Sequence, residues 1–288
     1  MRMMRGMLLA LAPATMASLW LFRLPALWLI IVSVITAVVA EALWQKTFRK
    51  PVKIKDLSAV VTGLLFGLSL SPSVPLYVAA AGAAFAIIVG KQLFGGFGKN
   101  LFNPALSGRL FIFLAFPGAM RPWLEPVQMT TAATPLQVFR AEEITASLSM
   151  LFVGNVPGSI GETSALALLL GFIWLAYKKY ANWRIPAACL SATAIIALAS
   201  GDDPLFHLMS GSMLLGALFM ATDPVTSPRT QAGRWLFGAA VGAGTMAMRF
   251  WSPLPEGTTF AILACNAVVP LINRYTAGPP FSSRRPGR

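Results

Sequence analysis

The sequence predicts an all-α membrane protein of about ten transmembrane helices, arranged as two inverted five-helix repeats. Of its 288 residues, 56% are hydrophobic and 11% are charged, and the mean hydropathy is +0.69. Soluble domains carry roughly 25% charged residues, so this chain has too few polar groups to cover a soluble fold. Several apolar runs approach the ~20 residues that a helix needs to cross a bilayer, and helices satisfy their own backbone there.

Ten apolar runs form the predicted spans, five in each half of the chain. They cover residues 7–22, 26–44, 57–71, 76–90 and 104–117, then 163–178, 185–200, 205–221, 234–250 and 259–273. The N-terminus imitates a signal peptide, but its apolar run continues through Trp20 and Phe22, which favours an uncleaved first helix. We interpret residues 1–288 as one polytopic domain with repeats at about 7–117 and 163–273.

Lysine and arginine residues predict the orientation of these spans. With the N-terminus inside, 18 of them lie in cytoplasmic segments, one (Arg109) lies within a span and four lie outside. The four are Arg23, Arg121, Arg140 and Arg249. The net charge of +13 is therefore a topology signal in a bacterial inner membrane and predicts no nucleic-acid partner. Both termini, including the tail 274–288, are expected in the cytoplasm, and residues 118–162 form a periplasmic loop.

Short sequence similarities between the two halves of the chain support an internal repeat. Residues 103–106 with Arg109 resemble residues 266–269 with Arg274, and residues 67–72 resemble residues 217–224; both similarities are weak. Five spans per half give the two halves opposite topology, and inverted repeats commonly place a ligand site at their interface. Chance similarity between helices rich in small residues is the alternative.

Two polar stretches of the first half and the loop are candidates for ligand binding. Glycines at 95–98 lead into Asn103 and Pro104, where a backbone or a helix N-terminus can approach an anionic group. Glycine and proline also mark ordinary breaks in membrane helices. In the external loop, small residues around Thr134 leave room for a bulky group on its hydroxyl, and a threonine-rich turn is the alternative.

Two further stretches lie in the second half. Ser159, Glu162 and Thr163 precede the sixth span, where Ser159 or Thr163 is a candidate N-cap with Glu162 in the first turn. Contact with a polar ligand is the functional interpretation. Asp223 ends the eighth span beside two prolines, and Glu41 lies inside the second span, so both acids are candidates for ion coupling. An Asx turn is the alternative for Asp223.

The four stretches together resemble a known family. In order along the chain they cover residues 99–106, 133–136, 158–164 and 220–228. They are similar to the family that joins the RnfD protein of the Rnf electron-transport complex to the NqrB protein of the sodium-pumping NADH:quinone oxidoreductase. The resemblance runs from about Asp56 to Thr276. It implies a ten-helix protein carrying flavin mononucleotide (FMN) on the last residue of a Ser/Thr-x-Ala-Thr pattern, here Thr134.

The resemblance also implies partners and further cofactor contacts. FMN joined to Thr134 through a covalent phosphoester would relay electrons between ferredoxin and NAD, coupled to Na⁺ or proton movement. A non-covalent riboflavin is expected between helices. Partners would be the other proteins of the Rnf complex, including a second FMN-carrying one, and membrane lipid. The residues expected to contact the cofactor are Thr131, Ala133, Ser159, Glu162, Thr163 and Asn103.

Alternative functions remain within and outside this family. The chain enters the membrane almost at once, and this favours RnfD over NqrB, which usually has a longer cytoplasmic extension. A non-redox channel or transporter for a small solute is the competing class, because inverted repeats serve such proteins equally well. Cys189 and Cys265 lack Cys-x-x-Cys spacing, so no metal or iron–sulfur site is predicted. The protein is expected to act only as part of its complex.

Overall fold

The computed structural model describes residues 2–120, 122–142, 145–252 and 257–277. Within those ranges the chain forms helices and turns without a β-strand, apart from one isolated bridge between Leu124 and Thr131. The predicted all-α fold is confirmed. The helices are α1 Arg2–Thr47, α2 Ser58–Leu68, α3 Leu76–Ile87, α4 Pro104–Ala115, α5 Pro117–Met120, α6 Pro135–Glu142, α7 Leu148–Val153, α8 Ala165–Tyr177, α9 Arg184–Ala199, α10 Pro204–Met209, α11 Met213–Leu215, α12 Gln231–Trp251 and α13 Gly257–Thr276. Two π-helical turns cover Ile88–Gln92 and Gly216–Met220.

The long first helix is broken at Arg23. This residue has φ 52° and ψ −129°, outside the helical region, and it separates the two predicted spans at 7–22 and 26–44. A continuous helix of 46 residues would be about 69 Å long, more than twice the hydrocarbon thickness of a bilayer. The break therefore allows two shorter segments where the sequence predicts two.

By length and composition, α1 is the helix among the described residues that is long and apolar enough to cross a membrane. Shorter apolar helices overlap the predicted spans at Ser58–Leu68, Leu76–Gln92, Pro104–Ala115, Ala165–Tyr177 and Arg184–Ala199. Helical segments occur in all ten predicted runs, but the number of membrane crossings and the inverted repeat stay predictions.

The segment after α2 joins the two halves of the chain. The run predicted to be helical to residue 71 ends at Leu68, and the irregular backbone that follows is buried. The amides of Ile160 and Gly161 donate to the carbonyls of Leu70 and Leu68 at 2.9 and 2.8 Å. Irregular backbone inside an apolar interior needs such partners, because water is not available to supply them.

The eighth predicted span, 205–221, is also discontinuous. The chain forms α10, a turn with Gly211 at φ 61°, α11 and then the second π-helical turn. The guanidinium of Arg249, from α12, enters this break and donates to the carbonyls of His207 and Ser210 at 2.6 and 2.8 Å. These carbonyls have lost their helical donors, and a cation is favourable at a helix C-terminus.

At the opposite end of the molecule, two asparagines hold the loop that follows the second π-helical turn. Asn103 caps α4 by accepting from the amides of Ala105 and Leu106, and its Nδ2 donates to the carbonyl of Met220 at 3.1 Å. The Asn103 amide donates to Asn266 Oδ1 at 3.1 Å, and Asn266 Nδ2 donates in turn to the Thr226 carbonyl at 3.1 Å. Each half therefore supplies hydrogen bonds to a helix break of the other.

Gly161 is predicted to tolerate no larger residue. A Cβ atom at this position would lie 2.5 Å from the Cβ of buried Leu68, so Gly161→Ala should lower the free energy of unfolding by about 1–3 kcal/mol. Thermal unfolding of the purified protein in detergent measures this change. Gly118→Ala is the matched control, because nothing lies within 4 Å of a Cβ atom there. Equal stability of the two variants would contradict the close packing of α2 against the 160–161 segment.

Candidate functional site

A cavity of about 590 Å³ lies where the 118–162 segment meets the ends of the helices. Thr134, Ser159, Glu162 and Thr163, which sequence analysis expected to contact a cofactor, all line this cavity. Thr134 lies inside the long connection and the other three residues lie at its end, so the fold brings together residues almost 30 positions apart. Their role in cofactor binding stays a prediction.

Thr134 is the N-terminal cap of α6. Its hydroxyl accepts from the amide of Gln137 at 3.3 Å, and its own amide donates to Gln137 Oε1 at 2.9 Å. This reciprocal pair is a capping box, which places the Thr134 hydroxyl at the positive end of an eight-residue helix. Thr134 is half-buried and faces the cavity, so its position combines a structural role with access to a ligand.

A buried ion pair forms the inner wall of the cavity. Arg109, from α4, donates through Nη1 to the carboxylate of Glu162 and through Nη2 to Ser159 Oγ at 3.1 Å. The side chains of Arg109 and Glu162 are 1% and 5% exposed. Since a buried charge is costly without a partner, this pair fixes the segment before α8 against α4.

Glu162 and its neighbours differ from the predicted capping arrangement. The cap of α8 is Ser164, whose hydroxyl accepts from the amide of Ala167 at 3.3 Å; the prediction of Ser159 or Thr163 as cap was wrong. Glu162 lies before the helix rather than in its first turn. The reason is tertiary: Arg109 binds both Ser159 and Glu162 and holds this segment in a non-helical turn.

The remaining predicted contacts lie elsewhere. Thr131 and Ala133 are exposed and stand outside the cavity, and the backbone of Thr131 forms the bridge to Leu124. Asn103 lines a second, largely apolar cavity of about 730 Å³, together with Asp223 and the side chain of Lys91. The structure thus separates Asn103 from Thr134.

The two acids predicted to couple ions occupy different cavities. Asp223 lines the second cavity, and its Oδ1 accepts from the amide of Val225 at 3.1 Å, which is the Asx turn considered from sequence. Burial raises the pKa of the Asp223 carboxyl, while hydrogen bonds from Val225 and Thr226 act against this shift. Glu41 lines a third cavity of about 630 Å³, bordered by polar residues of the 45–56 segment.

Comparison with known proteins identifies the family. A model described as the NQR2, RnfD, RnfE family matches residues 1–282. The chain belongs to this family. It is similar to the D subunit of the "Na(+)-translocating ferredoxin:NAD(+) oxidoreductase complex" of Acetobacterium woodii, with 42% identity over 279 residues, 95% of this chain and 88% of the relative.

Other members of the NQR2, RnfD, RnfE family are similar over nearly their whole length. The D subunit of the "Proton-translocating ferredoxin:NAD(+) oxidoreductase complex" of Clostridium ljungdahlii is 39% identical over 305 residues, 99% of this chain and 92% of the relative. The D subunit of the "Ion-translocating oxidoreductase complex" of Stutzerimonas stutzeri is 38% identical over 316 residues, 95% and 89% of the two chains. These matches confirm the resemblance that the four sequence stretches indicate.

Arg249 is a site residue that the sequence did not predict. The count of loop charges treats it as an external topology signal, but it is 6% exposed and lines the cavity of Thr134. The available signal was its place at the end of the ninth apolar run, since ionisable residues inside such runs are functional candidates. Lys91, buried at the end of the fourth run, was missed in the same way.

Removal of the Glu162 carboxylate is predicted to destabilise the protein strongly. Glu162→Ala takes from buried Arg109 its carboxylate partner, so the free energy of unfolding should fall by about 3–5 kcal/mol. Unfolding of the purified protein in detergent checks this value. Glu142→Ala, at an exposed position on α6, is the control and should change stability by about 0.5 kcal/mol or less. A similar small effect at Glu162 would mean that its pair with Arg109 does not hold the fold.

Proposed function

We propose that this protein is the flavin-carrying RnfD component of an ion-translocating ferredoxin:NAD oxidoreductase complex, with FMN joined to Thr134 through a phosphoester. The observation that carries the proposal is the position of the Thr134 hydroxyl, which opens on the same cavity as two buried guanidinium groups and lies at a helix N-terminus. The names of the family members support the complex, and the geometry around Thr134 supports the attachment.

The charge of the Thr134 cavity suits a phosphodiester. Its ionisable lining residues among those described are Arg109, Arg249 and Glu162, so the formal charge of this described part of the lining is +1. A phosphate esterified on both sides carries one negative charge. Guanidinium groups are strong partners for phosphate, and the positive end of a helix favours an anion. Arg249 and the Leu136 amide at the start of α6 are the groups we expect to hold the phosphate, with Glu162 keeping Arg109 in place.

The remaining lining of this cavity suits an isoalloxazine ring, because small-molecule sites are mostly apolar with a few placed polar groups. Trp123, Leu151 and Met209 give it apolar walls. When bound, FMN supplies the electron transfer; the protein side chains position the ring and exclude water from it.

For the second cavity we propose the non-covalent flavin, riboflavin. Its charged lining residues among those described are Lys91 and Asp223, so their formal charges cancel. A largely apolar lining whose described charged residues cancel suits a flavin that lacks the phosphate, with Asn103 and Thr222 available to its polar edge. The difference in charge between the two cavities is therefore the basis for assigning FMN to one and riboflavin to the other.

The proposed topology puts these cavities at opposite faces of the inner membrane. Ten spans in two inverted halves, with both termini in the cytoplasm, put Thr134 in the periplasm and the second cavity near the cytoplasm. Each cavity lies at a helix break, as in other membrane proteins built from inverted repeats. Asp223 and Glu41 remain our candidates for coupling electron flow to Na⁺ or proton transport. The protein would work only with its partners, including a second FMN-carrying component of the complex.

Covalent flavin at Thr134 is predicted to be visible after denaturation. The protein, produced in cells able to attach flavin, should give a fluorescent band on a denaturing gel. Thr134→Ala removes the acceptor hydroxyl, so its fluorescence should fall by roughly tenfold or more. Mass spectrometry of the peptide containing Thr134 should show FMN linked with loss of water.

Thr130→Ala is the matched control for this experiment. Its hydroxyl lies in the same segment, is exposed and stands outside the cavity, so the variant should keep full fluorescence. An unmodified Thr134 peptide in the wild-type protein would reject the flavin proposal. It would reject the NqrB alternative equally, because that protein would carry the same flavin, and would leave a solute channel as the better interpretation.

A further inference from the structure

A second buried ion pair lies far along the sequence from the Thr134 cavity. The ammonium of Lys91 is 2.9 Å from the carboxylate oxygens of Glu41 and donates to Ser58 Oγ at 2.6 Å. Glu41 belongs to α1, Ser58 begins α2 and Lys91 lies in the π-helical turn Ile88–Gln92. Glu41 and Lys91 are 1% and 2% exposed, so the pair is almost fully removed from solvent.

Further oxygen and amide groups surround this pair. The amide groups of Gln92 and Gln45 donate to Glu41 Oε1 at 2.7 and 3.3 Å. The Ser58 hydroxyl, which accepts from Lys91, donates to Asp56 Oδ1 at 2.7 Å. The result is a set of oxygen atoms, two carboxylates and a hydroxyl, with a single ammonium bound among them.

The pair separates two cavities. Glu41, Asp56 and Gln92 line the third cavity, together with Lys50, Lys53 and the turn at 95–97. Lys91 and Ser58 line the second cavity, which extends between the helices to Asp223. Glu41 therefore borders one cavity and Lys91 borders the other. π-helical turns often occur at functional sites, and this one adds the residue that brings Lys91 to the boundary.

We propose that Lys91 is a tethered cation occupying a monovalent-cation site formed by Glu41, Ser58 and Asp56, where the transported ion binds when the ammonium moves towards the second cavity. This inference rests on the ion coupling in the proposed function. Exchange of one monovalent cation for another keeps the charge around buried Glu41 constant, which avoids an unpaired buried carboxylate. Lysine suits this role because its compact charge sits on a flexible stem, and its movement leads towards a second acid, Asp223.

Na⁺ and a proton can each replace the ammonium of Lys91 at this site. Na⁺ is a hard cation that prefers oxygen ligands, and these are supplied here by two carboxylates and a hydroxyl. A proton needs only the Glu41 carboxylate. In either case the site accepts one positive charge in place of the ammonium, and the experiment distinguishes the two ions.

The test uses the full chain in detergent, with thermal unfolding followed in NaCl and in choline chloride at equal ionic strength. The wild-type protein should not respond specifically to Na⁺, because its own ammonium holds the site. Lys91→Met leaves Glu41 without a cation, so saturating Na⁺ should raise its unfolding temperature by about 3 °C or more. If the ion is a proton, the same variant should instead gain stability as the pH falls, without a Na⁺ effect. Glu41→Gln added to Lys91→Met should abolish either response.

Lys99→Met is the matched control, since Lys99 is an exposed lysine eight residues further on and should leave the ion response as in the wild type. The proposal is overturned if Lys91→Met responds to neither ion, or if the response survives Glu41→Gln.

Should Lys91→Met not fold, Lys91→Arg in the assembled complex provides the second measurement. It keeps the charge but binds the carboxylate through a rigid fork, so ion transport should slow by about tenfold or more while flavin stays attached. Unchanged transport in Lys91→Arg also rejects the proposal.

Flavin fluorescence on a denaturing gel, measured for each variant, keeps the two proposals apart. Absence of fluorescence from the wild-type protein would reject Thr134 as the flavin acceptor without affecting the ion response. A missing ion response in fluorescent Lys91→Met would reject the tethered cation and leave the flavin assignment intact.

Discussion

Backbone groups at helix breaks must be hydrogen-bonded inside an apolar interior, and this constraint organises the whole molecule. The carbonyls that end α2 accept from the amides of residues 160 and 161, and those around the α10 break accept from Arg249. At the other end, Asn103 and Asn266 satisfy the carbonyls of the loop after residue 220. In every case the partner is distant in sequence, so no broken helix satisfies its own carbonyls.

The same constraint explains why the polar chemistry is concentrated in cavities at the breaks. A broken helix leaves space that side chains must fill, and its exposed carbonyls attract donors such as arginine and asparagine. Arg249 reaches the first cavity because it binds the α10 break, and Asn103 reaches the second because it caps α4. The residues that stabilise the fold are thereby the residues that line the sites. Substitutions at these positions will change stability and ligand binding together, which makes exposed matched controls essential.

Much of the fold followed from the sequence, because hydropathy depends on local composition. Each predicted apolar run contains helix, and the break at Arg23 separates the first two of them. The capping of α8 by Ser164 and the interruption of the eighth run were not predicted, since both depend on arginines from other helices, Arg109 and Arg249. The motif predicted Thr134 as the flavin acceptor, and this stays a prediction. The residues that share its cavity depend on tertiary packing, which no local sequence pattern records.

The relatives of this chain include proteins named for Na⁺ and for proton translocation, with nearly the same identity to it. In the cation site that we propose, ion preference would depend on the ligands around Glu41 rather than on the helical framework. The surroundings of Glu41 allow this, because an amide side chain presents a donor or an acceptor according to its rotation. Gln45 and Gln92 donate to Glu41 here, which stabilises the ionised carboxylate that binds the Lys91 ammonium and disfavours a proton. In the cation site that we propose, rotation of the Gln92 amide would instead present its carbonyl oxygen to Na⁺, whereas Gln45 Oε1 already accepts from the Lys53 amide at 2.8 Å. Ion preference would then depend on the residues that fix the Gln92 rotamer.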